Sequence, residues 1–174
     1  MANSTSASLK LTVQATGENS GTWGAITNTN LLILEQAIGG YDAFNVTNAS
    51  RALTFTNGAV SNGKNEVIKL TGTLAGNLNV TIPDSVEKTY TVENTCNHAG
   101  NTLTFKTTSG TGVLLCEGHS YTLWSDGTNV YKSSELRKWR AISSAETVQA
   151  GAQILANTNG GAVTITLPAS PATG

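Results

Sequence analysis

Hydrophobic positions along the chain change their period once, and the change divides it. Between residues 18 and 40, Trp23, Ile26, Leu31, Ile33, Leu34, Ala37 and Ile38 fall within one broad stripe at about 100° per residue, the signature of an amphipathic helix. Ser20 or Thr22 can cap its start, and Gly39-Gly40 ends it. Asn28, Thr29, Glu35 and Gln36 lie opposite; Leu32 sits on that polar side, while Thr27 and Asn30 sit inside the apolar stripe. From Arg51 to Lys132 the period becomes two. Eight short segments alternate or run apolar: Arg51 to Thr56, Glu66 to Thr71, Leu78 to Ile82, Lys88 to Glu93, Thr102 to Lys106, Val113 to Cys116, Ser120 to Trp124 and Val130 to Lys132. Turn signals such as Asn57-Gly58, Asn62-Gly63, Pro83-Asp84 and Asp126-Gly127 separate them. Spacing near 8–12 residues predicts a sandwich or small barrel rather than βαβ units.

The expected fold is therefore mainly β. A short N-terminal arm (1–17) precedes a helix and connector (18–49). An antiparallel β-sandwich-like module (50–134) follows, then a linker and the start of a second, incomplete β module (135–174). The expected core is Leu53, Phe55, Leu70, Leu78, Val80, Ile82, Tyr90, Val92, Leu103, Phe105, Leu115, Tyr121, Leu123 and Val130. The arm buries little by itself and is expected to order only against a neighbour. Residues 133–140 concentrate charge and read as a solvated linker or short helical turn, with a basic docking patch as the alternative.

The second module is inferred from an ungapped internal repeat. The stretch Leu70 to Ser85 resembles Leu155 to Ser170, with Pro83 falling on Pro168 at an offset of 85 and the apolar residues keeping their parity. Nothing after Pro168 corresponds to the strands that follow Pro83, so the chain is expected to be the front of a longer polypeptide or to be completed by other chains.

The helix needs a cover. A helix of roughly 17 residues is marginal alone. Its stripe must pack on the β module or on other copies about a symmetry axis. In the second case Trp23, Ile26, Asn30, Leu34, Ala37 and Ile38 form the seam, and Asn30 fixes its register.

Composition narrows the function. Only 12% of the 174 residues are charged, and the net charge is −1. An average domain carries roughly 25% charge. Ser, Thr and Asn supply about a third of the chain instead. No basic excess exists to neutralise phosphates, which argues against a nucleic-acid partner. No long apolar window suits a membrane span, and the first residues lack a signal-peptide core.

Catalytic patterns are equally scarce: no nucleophile elbow, zinc-protease motif or Walker loop occurs. Cys96 and Cys116 read as reduced, at least partly buried thiols without metal or redox spacing. His98 and His119 read as surface turn residues without a second ligand nearby. No cofactor or metal is expected. Trp124, Tyr131, Trp139 and Tyr41 are the aromatic residues on which a carbohydrate-binding site could be built.

Several stretches carry a resemblance. Thr16-Gly-Glu-Asn-Ser-Gly-Thr-Trp23-Gly, followed by a helix ending Leu34-Glu-Gln-Ala-Ile38-Gly-Gly, resembles the N-terminal region of tail-fibre and minor structural proteins of tailed bacteriophages, especially of marine or cyanobacterial phages. The segment from Gly63-Lys-Asn to Leu-Thr-Gly-Thr-Leu74, and Trp124-Ser-Asp-Gly-Thr-Asn-Val130, are similar to the β module that follows in those proteins. The final Leu167-Pro-Ala-Ser-Pro-Ala-Thr-Gly174 is similar to a strand-turn element of phage fibre modules.

The resemblance implies a non-enzymatic virion protein in a homotrimer. It would be the virion-proximal part of a tail fibre, touching other tail proteins, with host-receptor binding further along. A head-decoration or head-fibre, neck or baseplate appendage is the alternative, and a carbohydrate-binding adhesin module the next.

Overall fold

A computed structural model describes residues 2–148 and 152–167. The protein is mainly β, with one long helix, as the alternation of apolar positions requires. Strands β1 (Ser4–Thr5) and β2 (Thr12–Val13) form a small hairpin. Helix α1 (Trp23–Gly39) follows. Strands β3 (Tyr41–Asn45), β4 (Arg51–Ala52), β5 (Val67–Thr71), β6 (Leu78–Ile82), β7 (Glu87–Asn94), β8 (Leu103–Thr107), β9 (Gly112–Leu115), β10 (Ser120–Asp126) and β11 (Val130–Leu136) build two facing sheets. Their orders are β11-β10-β7-β5-β3 and β4-β6-β8-β9.

The pairing differs from the wholly antiparallel arrangement expected. From β3 to β8 the chain alternates between the two sheets, and each strand lies parallel to the strand two before it. A parallel pair needs a long crossover. Here the crossover is a strand of the opposite sheet, so the chain winds as a flattened coil. Within these two sheets the antiparallel pairs are β9 on β8, β10 on β7 and β11 on β10. Alternation in sequence reports which face a side chain takes and carries no information on strand direction.

The core lies between the sheets. Ile68, Leu70, Val80, Ile82, Tyr90, Val92, Leu103, Phe105, Leu115 and Leu123 are fully buried, and Tyr90 and Phe105 meet across the sheets with ring centroids 5.4 Å apart. Each such side chain contributes roughly 1.5–3 kcal/mol by leaving water. All fourteen expected core residues are in this cluster or pack against it, and Phe44, Val46, Ile68, Leu74 and Cys96 join them.

Strand β3 lies in the stretch expected to be a connector. Strand β4 stops at Ala52, because the next residues turn into a loop closed from within by Lys64. This lysine is fully buried, and its Nζ donates to the carbonyls of Thr56 (2.7 Å) and Ala59 (2.6 Å). Gly63 beside it has no room for a side chain: a Cβ would lie 2.3 Å from Phe55 Cε2 and 2.8 Å from the Thr54 carbonyl. Residues 133–140 are not a linker or helical turn. Strand β11 runs through to Leu136, and β12 begins at Trp139.

Beyond the two sheets, β12 (Trp139–Ile142) pairs parallel with β14 (Gln153–Ala156), and β13 (Glu146–Thr147) pairs parallel with β15 (Ile165–Thr166). The alternation of the first coil is thus repeated. At the offset of 85, Leu155 on β14 corresponds to Leu70 on β5, and Ile165 on β15 to Val80 on β6. The counterpart of Pro83, Pro168, and the rest of the similar ending lie outside the described residues.

The N-terminal arm orders against its own chain. Asn30 on the helix acts as a short strand toward Thr12: the Thr12 N–H donates to Asn30 Oδ1 and Asn30 Nδ2 to the Thr12 carbonyl, both at 2.9 Å. Gln14 bonds Thr27, the Gly58 N–H donates to the Lys10 carbonyl, and the Glu87 N–H donates to Ser8 Oγ.

Candidate functional site

The helix turns out to have two apolar faces. Ile33 is fully buried, with Ile26, Asn30 and Ala37 half-buried on the same side of the helix. Gln36 extends this contact by donating to Asn65 Oδ1 (3.1 Å), and its Oε1 accepts from the Ser61 N–H (3.2 Å). The other face is open. Trp23 (64% exposed), Leu31, Leu34 and Ile38 (79% exposed) line one stripe of the helix. At about 100° per residue they span roughly a quarter of its circumference. Tyr41, the first residue of β3, is exposed as well.

Of the six residues expected in an oligomer seam, Trp23, Leu34 and Ile38 are therefore presented outward. Ile26, Asn30 and Ala37 belong to the inward side, and both ends of the Asn30 carboxamide are used within the chain. Leu31 joins the outward set. The helix pattern could not separate the faces, because the apolar stripe is wide enough to serve two contacts.

The residues that carry the resemblance have local work in this arrangement. Gly17, Asn19 and Gly21 all have positive φ and make the sharp entry into the helix, and Asn19 and Asn3 exchange side-chain hydrogen bonds (2.8 and 2.9 Å). Asp126 accepts from the N–H groups of Thr128 (2.8 Å) and Asn129 (2.7 Å) and from the Tyr131 hydroxyl (3.1 Å). The two backbone donors lead in holding its carboxyl below the usual range.

Trp124 and Tyr131 stack on the outer face of β10–β11, with centroids 4.6 Å apart, and both are partly exposed. Trp139 stands apart at the start of β12 and is exposed.

At one end of the sandwich the core becomes polar. His98 and His119 are both fully buried, not surface turn residues as expected. Their turns fold inward over Asn94, also fully buried. Asn94 Nδ2 donates to the Cys116 carbonyl (2.8 Å) and meets His98 Nε2 (2.8 Å), while its Oδ1 accepts from the Cys96 N–H. His119 Nδ1 lies 2.5 Å from Glu135 Oε1.

Cys116, His119 and Glu135 each place one potential ligand atom within 4.8 Å of the other two. The spacing Cys116-Glu-Gly-His119, with Gly118 at φ +76°, was the available signal in sequence: two ligand types three residues apart around a glycine turn. Glu135 gave no such signal, because strand pairing alone brings it near. Burial raises the Glu135 pKa, but hydrogen bonds from Lys132 and His119 outweigh it and hold the carboxyl below its ordinary value.

Neither cysteine is in a disulfide. Burial, with the charge of Glu117, pushes the Cys96 thiol up to about 11. Among the described residues no helix is long and apolar enough to cross a membrane. Comparison of this chain with protein-family models, with curated proteins and with solved structures finds no match.

Proposed function

We propose that this chain is a non-enzymatic structural protein of a phage virion, the virion-proximal part of a tail fibre, which works as a homotrimer beside other tail proteins. The supporting observation is the outward stripe Trp23, Leu31, Leu34 and Ile38 on a helix whose adjoining face is already packed. Large apolar side chains lined up on an exposed helix face mark an association surface. The parallel coil begun by β3–β8 and begun again by β12–β15 suits a shaft built of successive modules. Receptor contact then belongs to more distal parts of the fibre.

Native mass spectrometry of the full chain at micromolar concentration tests the reading. The expected species is a trimer, and Ile38→Asp shifts it to monomer with the far-ultraviolet circular dichroism unchanged. A folded monomer for the unmodified chain overturns it.

The stacked Trp124–Tyr131 pair favours a second reading, a carbohydrate-binding module. Aromatic faces flanked by polar groups, here Asp126 and Asn129, suit sugar rings. A glycan array bound by the native chain and not by Trp124→Ala would support it, and an array with no binder would remove it.

A further inference from the structure

We propose that Cys116, His119 and Glu135 bind one divalent metal ion of the zinc type. This inference is independent of the tail-fibre reading. Three side chains of different chemistry converge at the polar end of the sandwich, with one ligand atom of each within 4.8 Å of the others. A sulfur, nitrogen and oxygen set suits zinc, whereas magnesium and calcium take oxygen alone.

Charge also balances: a thiolate and a carboxylate neutralise a dication, and the imidazole binds in its neutral form. The proton leaves the Cys116 thiol for solvent as the sulfur–metal bond forms. A buried cation without such balance would carry a large desolvation cost.

Two further features support the assignment. The first is a β-bulge. Pairing of β10 with β11 shifts between Thr122 and Leu123, so that Tyr121 faces Glu135 while Leu123 faces Lys132. Without the extra residue, Glu135 would share the outward face of Tyr131. With it, an acidic side chain points inward beside the buried Tyr121 and His119. Bulges re-aim side chains in this way near functional sites.

The second is the state of His119. Its ring is fully buried, Nδ1 is held by Glu135, and Nε2 has no hydrogen-bond partner among the described residues. A buried imidazole nitrogen left bare calls for an explanation such as a bound ion or water. When the ion binds, the Glu135 carboxylate, which meets the ring at Nδ1, turns to the metal as the third ligand.

The turn itself is pinned where the metal needs it. The Gly118 N–H donates to the Asn94 carbonyl (3.0 Å) and the Asn94 N–H to the His119 carbonyl (2.9 Å). Glu117 and Gly118 also line an open cleft with Cys96 and Arg140, which gives an ion a way toward the turn.

The test uses the full chain, freed of metal by a chelator and kept reduced, then given one equivalent of Zn2+ or Co2+. The expected result is one bound ion per chain by native mass spectrometry. A thiolate-to-cobalt charge-transfer band should appear in the near ultraviolet, and Zn2+ should raise the melting temperature. Cys116→Ser should abolish the band. Glu135→Gln, at the more accessible edge of the cluster, should weaken Zn2+ affinity about 10–100-fold while leaving the metal-free fold intact. If Cys116→Ser fails to fold, the Glu135→Gln affinity decides alone. No stoichiometric uptake by the native chain, or uptake that Glu135→Gln leaves unchanged, overturns the proposal.

Discussion

Single polar side chains close this fold at places where the backbone would otherwise be left unpaired. Asn30 is one. It supplies the donor and acceptor that a third strand would give to Thr12. Replacing it with Ala should destabilise the chain by about 1–2 kcal/mol and release the arm, measured as a lower melting temperature and faster amide exchange at residues 4–13. An arm that stays protected in Asn30→Ala would show that its other ties suffice.

Cys96 gives a second residue-scale test. Its thiol is held near 11 in the folded state, above its ordinary value of 9.0. A group whose folded pKa is raised contributes stability that is complete below the unfolded value and is lost as pH climbs toward the folded one. Stability should therefore fall as pH rises above 9, and Cys96→Ala should flatten the decline between about pH 9 and pH 11 in urea melts. An unchanged slope would assign the loss elsewhere. The buried Tyr90 and Tyr121 hydroxyls, whose pKa values burial also raises, add to the same loss further into alkali.

At the scale of elements, the helix separates packing from presentation. Ile33→Ala should cost about 2–5 kcal/mol, because it opens a cavity at a fully buried position. Ile38→Asp, on the outward stripe, should change monomer stability by no more than about 0.5 kcal/mol. Chemical denaturation of both variants checks the pair, and equal effects would mean that the two faces are misassigned.

How far these elements could be read from the chain depends on the kind of signal. The helix and the eight strands between Arg51 and Lys132 announce themselves by period, and their inward residues by parity. Strand β3 does not, since Tyr41 to Asn45 has only Phe44 as a strong inward residue and follows directly on the helix. Parallel pairing was invisible for the reason already given. The charged run 133–140 misled because ion pairs with the body absorb its charges: Lys138 reaches Glu93 at 2.9 Å and Arg140 reaches Glu117 at 3.2 Å. The Cys116–His119 spacing alone did not point to a metal, and Glu135 depends on a bulge that no local pattern marks.

For the whole molecule, the joint between the first sheets and β12–β15 rests partly on Arg140, which pairs with Glu117 on one side and Glu146 on the other. Both glutamates help raise its pKa, Glu146 most of all. Arg140→Met should raise amide exchange across residues 139–156, by about 1 kcal/mol of local opening, and leave β5–β10 unaffected. Uniform protection in the variant would show that Ile142 and Val148, both buried, hold the joint without it.

The flattened coil has a further consequence for how such a chain can change in evolution. Neighbours within a sheet, such as Phe44, Leu70 and Asn94, are separated by one full circuit of the chain. Gain or loss of a whole circuit leaves every remaining side chain facing the way it did. A shift of a single residue within a strand would turn that strand inside out. Lineages should therefore vary in the number of circuits, with length changes inside a circuit confined to the corners.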